Sequence, residues 1–188
     1  MNASYFEQLE TATVGHNTTG RKHREASDPC EDSWMSLSRD NYTIIAVADG
    51  LGSADLSTVG SDIATQEAVS KTAEYIDDLS EHDSIDSIAS FDESAVSKIL
   101  RNVIKHARGE LVSKAESDGE PLNKYHTTLT VAIHTPYWYG ACAIGDSGII
   151  GASEDEYHRL LDREDTESSE ATVPLTSDTR MINERYRL

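Results

Sequence analysis

The apolar run Ile44-Ile45-Ala46-Val47-Ala48 ends on Asp49, and glycines follow at positions 50 and 52. Such a run reads as a buried strand, so a carboxylate stands at a strand exit beside backbone free to approach a ligand or metal closely. Hard divalent cations take carboxylate and carbonyl oxygens of this kind. Asp-Gly is equally an ordinary turn dipeptide, which is the plain alternative for the pair. Three further acids stand where the chain turns: Glu31 and Asp32 just ahead of one strand pattern, and Asp146 between two late ones. Adjacent hairpin strands would gather Glu31, Asp32 and Asp49 at one end of a sheet, where bare carboxylates repel unless a cation compensates. That repulsion points to Mg²⁺ or Mn²⁺, and without a His or Cys cluster Zn²⁺ is disfavoured. Asp146, inside Gly145-Asp146-Ser147-Gly148, also reads as a simple turn residue.

The elements that must position these acids follow from periodicity. Residues 11–14 suggest a short strand, 15–30 a polar loop, and 33–38 and 42–48 a pair of strands around the turn-forming Arg39-Asp40-Asn41. Leu56, Val59, Ile63, Val69, Ala73 and Ile76 recur at helical spacing with Ser57 as N-cap. After a polar connection over 81–90, Val96, Ile99, Leu100, Val103, Ile104, Ala107, Leu111 and Val112 define the clearest helix, which Gly119 and Pro121 stop. Strands return over 127–133, 137–144 and 149–151. Residues 154–170 are acid-rich and read as a solvated loop, 172–176 as a last strand fragment, and 181–188 carry no pattern. Strands, two long helices, then strands is not the alternation of a parallel α/β sheet; it predicts an α+β fold with antiparallel strands and helices on a face.

A chain of 188 residues suits a single domain over 1–188. Its 34 acidic against 16 basic residues give a net charge of −18, which repels nucleic-acid phosphates and argues against a nucleic-acid partner. The acids are spread along the chain, as on proteins of salt-loving microbes; equal folding with and without molar salt would remove that expectation. Cys30 and Cys142 are far apart and form no CxxC pair, so they read as small apolar residues rather than a disulfide or zinc framework. The first ten residues lack a basic and an apolar region, and no run is long enough to span a membrane, so a cytoplasmic location without membrane contact is expected.

Pro29-Cys30-Glu31-Asp32, Val47-Ala48-Asp49-Gly50-Leu51-Gly52-Ser53, Gly60-Ser61, Thr127-Thr128-Leu129 and Gly145-Asp146-Ser147 occur in that order. The series resembles the metal-dependent serine/threonine phosphatases of type 2C, the PPM family, and especially their short microbial branch, over roughly residues 11–152. Gly15-His16 approximates that branch's early Gly-x-His motif. The resemblance implies an antiparallel β-sandwich flanked by helices. It implies that Asp49 bridges two Mn²⁺ or Mg²⁺ ions and that the Gly50 carbonyl binds one of them. Glu31 would reach the second ion partly through water, Asp32 would orient metal-bound water, and Asp146 would hold a third, weaker ion. Thr127 and Thr128 resemble a structural strand start. The implied reaction is hydrolysis of phosphoserine or phosphothreonine in proteins by a metal-acidified water, with Asp49 and Asp32 as its catalytic acids.

Departures from the family pattern matter too. Ser27 stands near the place of the family's phosphate-binding Arg, with Arg21 and Arg24 off the expected spacing. Leu51 stands where some members carry a His. Ser177-Asp178-Thr179 is the one candidate for the late Ser-Asp-Gly motif, and no Asp-Asn follows it. The fold is therefore expected to be incomplete at its C-terminal side, with 153–188 an acidic loop and tail. An exposed sheet edge would then favour self-association. The alternative function is an inactive pseudophosphatase that serves as an interaction or phosphopeptide-binding module.

Overall fold

The computed structural model describes residues 11–26, 29–80, 86–152, 156–161, 172–185 and 188. Four strands, β1 (Ser33–Ser38), β2 (Thr43–Ala48), β3 (Leu129–His134) and β4 (Tyr139–Ile144), form one antiparallel sheet in the order β1-β2-β3-β4. A short helix α1 (Arg21–Ala26) precedes it. The β2-to-β3 connection carries α2 (Ser57–Ser80), the four-residue α3 (Asp86–Ala89), α4 (Glu93–Asp118) and a 3-10 turn over Leu122–Tyr125. Two further strands, β5 (Ile149–Ala152) and β6 (Tyr157–Leu161), pair as a separate antiparallel ribbon, and α5 (Thr179–Arg185) follows. The class is thus α+β, with two antiparallel sheets and two long helices, as the periodicity predicts.

The core lies between the helices and one face of the four-stranded sheet. Ile44, Ala46 and Ala48 on β2, Leu129, Val131 and Ile133 on β3, and Cys142 and Ile144 on β4 are fully buried against α2 and α4. Small residues on α2 (Ala64, Ala68, Ala73) let α4 approach with Leu100, Val103, Ile104 and Leu111. Alternate residues of β2 face the other way: Ile45 and Val47 are 36% and 42% exposed, so the apolar run makes a half-buried strand rather than a fully buried one.

Helix α4 is capped at both ends. The Asp92 carboxylate accepts from the Ala95 N–H at 2.8 Å, and Gly119, at φ 68°, donates to the last carbonyls. Ser57 begins α2 as its first residue rather than standing ahead of it. Other expectations fail for physical reasons. Residues 11–14 are irregular, and Gly15 lies against the Trp34 indole. Within the acid-rich 154–170 stretch, Tyr157–Leu161 is a strand because it finds β5 as partner; 162–170 lie outside the described residues. Residues 172–176 form no strand: among the described residues their one backbone hydrogen bond to β-structure runs from the Leu175 N–H to the Thr127 carbonyl at 2.7 Å, too little for a ladder. The patternless end contains α5, whose Ile182 reaches the core. Among the described residues no helix is long and apolar enough to cross a membrane.

Candidate metal centre

In an antiparallel sheet the start of β1, the end of β2, the start of β3 and the end of β4 all lie at one end. Ser33 pairs with Ala48, Val47 with Thr130, and Leu129 with Ile144. Continuing the β1–β2 and β3–β4 registers by one residue and the β2–β3 register by two puts Asp32, Asp49, Thr128 and Gly145 in a row across the four strands. Glu31 falls opposite Gly50, and Asp146 follows Gly145. All four acids named from the sequence therefore arrive at one end of the sheet.

The backbone there is tied down from several sides. The Gly50 N–H donates to the Glu31 carbonyl at 3.2 Å, and the Ser61 hydroxyl on α2 donates to the same oxygen at 2.6 Å. Gly60 lets the α2 backbone lie directly on the Tyr125 carbonyl, where a Cβ would collide. The Asp49 carbonyl accepts from the Thr128 N–H at 2.9 Å, and the Asp49 N–H donates to the Thr128 hydroxyl at 2.9 Å. Behind that pair, the Thr127 hydroxyl lies 3.1 Å from both the Asp49 and the Thr128 carbonyl oxygens.

A polar cavity of about 210 Å³ opens in front of these acids, lined by Thr18, Thr19, Gly20, Cys30, Glu31, Asp32, Asp49 and Gly50 among others. The Asp49 carboxyl is pushed up to about 6. Partial burial in the cavity wall is the first cause, although the residue keeps solvent on its open side; then come the charge of Asp32 and a hydrogen bond with it, and the charges of Asp146 and Glu31. The donors are all oxygens and their repulsion is the kind a hard dication relieves, so the donor chemistry fits Mg²⁺ or Mn²⁺. Among the described residues no three acids close around a single point. Glu31, Asp32 and Asp49 thus line the cavity rather than form a closed shell, and Asp146 stands outside that lining on the β4–β5 turn.

Other candidates lie elsewhere. Arg21 pairs with Glu25 at 2.8 Å on the exposed α1, neither Arg21 nor Arg24 lines the cavity, and Ser27 is outside the described residues. The Asp178 carboxylate accepts from the Arg180 N–H at 2.8 Å and its carbonyl from the Ile182 N–H, so Asp178 opens α5. The residues charged with raising Asp49 are Asp32, Asp146 and Glu31, with Asp178 not among them. Sequence reasoning missed Thr18, Thr19 and Gly20 in the cavity wall, and the wiring of Thr128 to Asp49. The first sit in a loop without periodicity; the second is visible only once the β2–β3 register is known.

Residues 19–187 match the Protein phosphatase 2C family, and the chain belongs to that family. No curated protein matches it by sequence. Among solved structures it is similar to the serine/threonine phosphatase Stp1 from Staphylococcus aureus, with 21% identity and a TM-score of 0.56, over 78% of this chain and 51% of that one. A bacterial serine phosphatase variant aligns with 19% identity and a TM-score of 0.58, over 86% of this chain and 64% of that one. These likenesses show the fold. The chain spans about half the length of Stp1.

Proposed function

We propose that this chain is a metal-dependent protein phosphatase domain acting on phosphoserine or phosphothreonine. The observation that carries the reading is the convergence of Asp32, Asp49, Glu31 and Asp146 on one sheet end, where partial burial and the charges of the other three raise Asp49. Mn²⁺ or Mg²⁺ held there, as two ions and a third at Asp146, would supply an acidified water and compensate charge on the phosphate oxygens. Asp49, Glu31, Asp146 and the Gly50 carbonyl are the proposed ligands. Asp32, opposite Asp49 when the β1–β2 register is continued, is proposed to orient a metal-bound water. Ser61 and Thr128 keep the backbones of Glu31 and Asp49 in place.

The same reading puts the domain in the cytoplasm, with Cys30 and Cys142 reduced rather than disulfide-bonded and a phosphorylated protein as its substrate. Molar salt should raise its stability by screening the −18 charge. The outer strands β1 and β4 are proposed as edges for self-association.

A second reading, a pseudophosphatase that binds partners without turnover, is favoured by the open arrangement of the acids and by Asp178 serving as a helix opener. Phosphate release from a phosphothreonine peptide, in millimolar Mn²⁺ and high salt, separates the two. Release by wild type that is lost in Asp49→Asn supports the enzyme; no release by either supports the module.

A further inference from the structure

We propose that Thr128 is a positioning residue that fixes Asp49 relative to Asp146 through its two branches. The inference rests on the metal-centre reading above. In a regular antiparallel ladder the Asp49 N–H, facing residue 128, would donate to a main-chain carbonyl. Here it donates instead to the Thr128 hydroxyl at 2.9 Å, while the Thr128 N–H donates to the Asp49 carbonyl at 2.9 Å. The Thr128 carbonyl lies 3.1 Å from the Thr127 hydroxyl. One residue thus holds both backbone groups of Asp49, one of them through its side chain.

The other branch of Thr128 points at the Asp146 turn. Gly145 sits at φ 112°, and a Cβ built there would stand 2.5 Å from the Thr128 methyl. The missing Cβ is the space the methyl fills. Thr128 is fully buried, so neither branch can swing away without opening the core end of the sheet. Its hydroxyl holds Asp49 and its methyl seats the turn that delivers Asp146, and the distance between the two carboxylates follows from one side chain. A serine would keep the first function and lose the second; a valine would do the reverse. Either substitution alone removes one heavy-atom feature and leaves the backbone register untouched.

The test is calorimetric titration of Mn²⁺ into the metal-stripped 188-residue chain, with urea unfolding run beside it. Thr128→Val is expected to weaken the tightest Mn²⁺ about tenfold or more, the usual cost of losing a group that orients a ligand. Thr128→Ser should bind that ion within about threefold of wild type and lose affinity at the weakest step, because the hydroxyl stays and only the turn loosens. A merely structural role would lower urea stability in both variants and leave Mn²⁺ affinity as in wild type, and that result overturns the inference. Equal loss of the tightest ion in both variants overturns it as well. Thr128→Ser alone decides the matter should Thr128→Val not fold: tight Mn²⁺ lost in a folded serine variant contradicts a role for the hydroxyl. A wild type that takes up no Mn²⁺ overturns the metal reading and this inference together, whereas wild-type binding matched by Thr128→Val overturns this inference only.

Discussion

The Ser61 hydroxyl on α2 donates to the Glu31 carbonyl at 2.6 Å, tying the residue ahead of β1 to the helix that follows β2. The same oxygen accepts from the Gly50 N–H at 3.2 Å, so three segments meet at one acceptor. Ser61 is fully buried, and its loss leaves that carbonyl with the longer bond only. Ser61→Ala should cost about 1 kcal/mol in urea unfolding, the usual net worth of one such bond. An unchanged midpoint would show that Gly50 alone holds Glu31.

Gly145 combines a left-handed backbone with direct contact to Thr128. Gly145→Ala should therefore lower stability by about 1–3 kcal/mol. Gly109, inside α4 with nothing within 4 Å of a built Cβ, is the matched control. Gly109→Ala should raise stability by about 0.5–1 kcal/mol, because alanine is the better helix former. Equal effects of the two substitutions in urea would contradict the packing described for the turn.

The raised Asp49 carboxyl predicts a pH dependence for the metal-free protein. Its proton is held more tightly folded, near 6, than in the unfolded chain, at about 3.9. The stability it contributes is complete below the unfolded value and is lost as pH rises through about 6. Urea midpoints measured from pH 4 to 7 without metal should show that decline in wild type and a shallower one in Asp49→Asn. Mn²⁺ binding should strengthen over the same window, as the ligand loses its proton. Parallel pH profiles for the two proteins would remove Asp49 as the titrating group.

Self-association through β1 or β4 competes with repulsion between copies of net charge −18. Screening weakens that repulsion, so light scattering should show mass rising with both protein concentration and salt. A clean monomer at every concentration and salt would sink the edge-pairing idea.

Much of the fold was legible because its elements are periodic. The 3.6-residue stripe from Val96 to Val112, buried from Ile99 to Leu111, and the buried alternation of Leu129, Val131 and Ile133 appear where expected. The four acids were legible by type and by their positions at element ends, since an antiparallel order carries those ends to one side. Tyr157–Leu161 was hidden because a two-stranded ribbon buries little: Tyr157 is 84% exposed and leaves no apolar signature. Helix α5 is seven residues long, below the length at which periodicity speaks. The path of residues 173–177 was hidden too, since it depends on tertiary bonds: Leu175 to Thr127, Thr176 to His126, and Arg108 to the Ser177 carbonyl. Burial lowers the His126 pKa, which favours the neutral ring in that contact.

Calorimetric titration of Mn²⁺ at pH 7.5 into the metal-stripped chain and its Asp49→Asn variant tests the central claim most directly. The account predicts that wild type binds at least one ion and that Asp49→Asn, still folded by circular dichroism, loses the tightest of them. Identical Mn²⁺ isotherms for the two proteins, or no uptake by wild type, would contradict it.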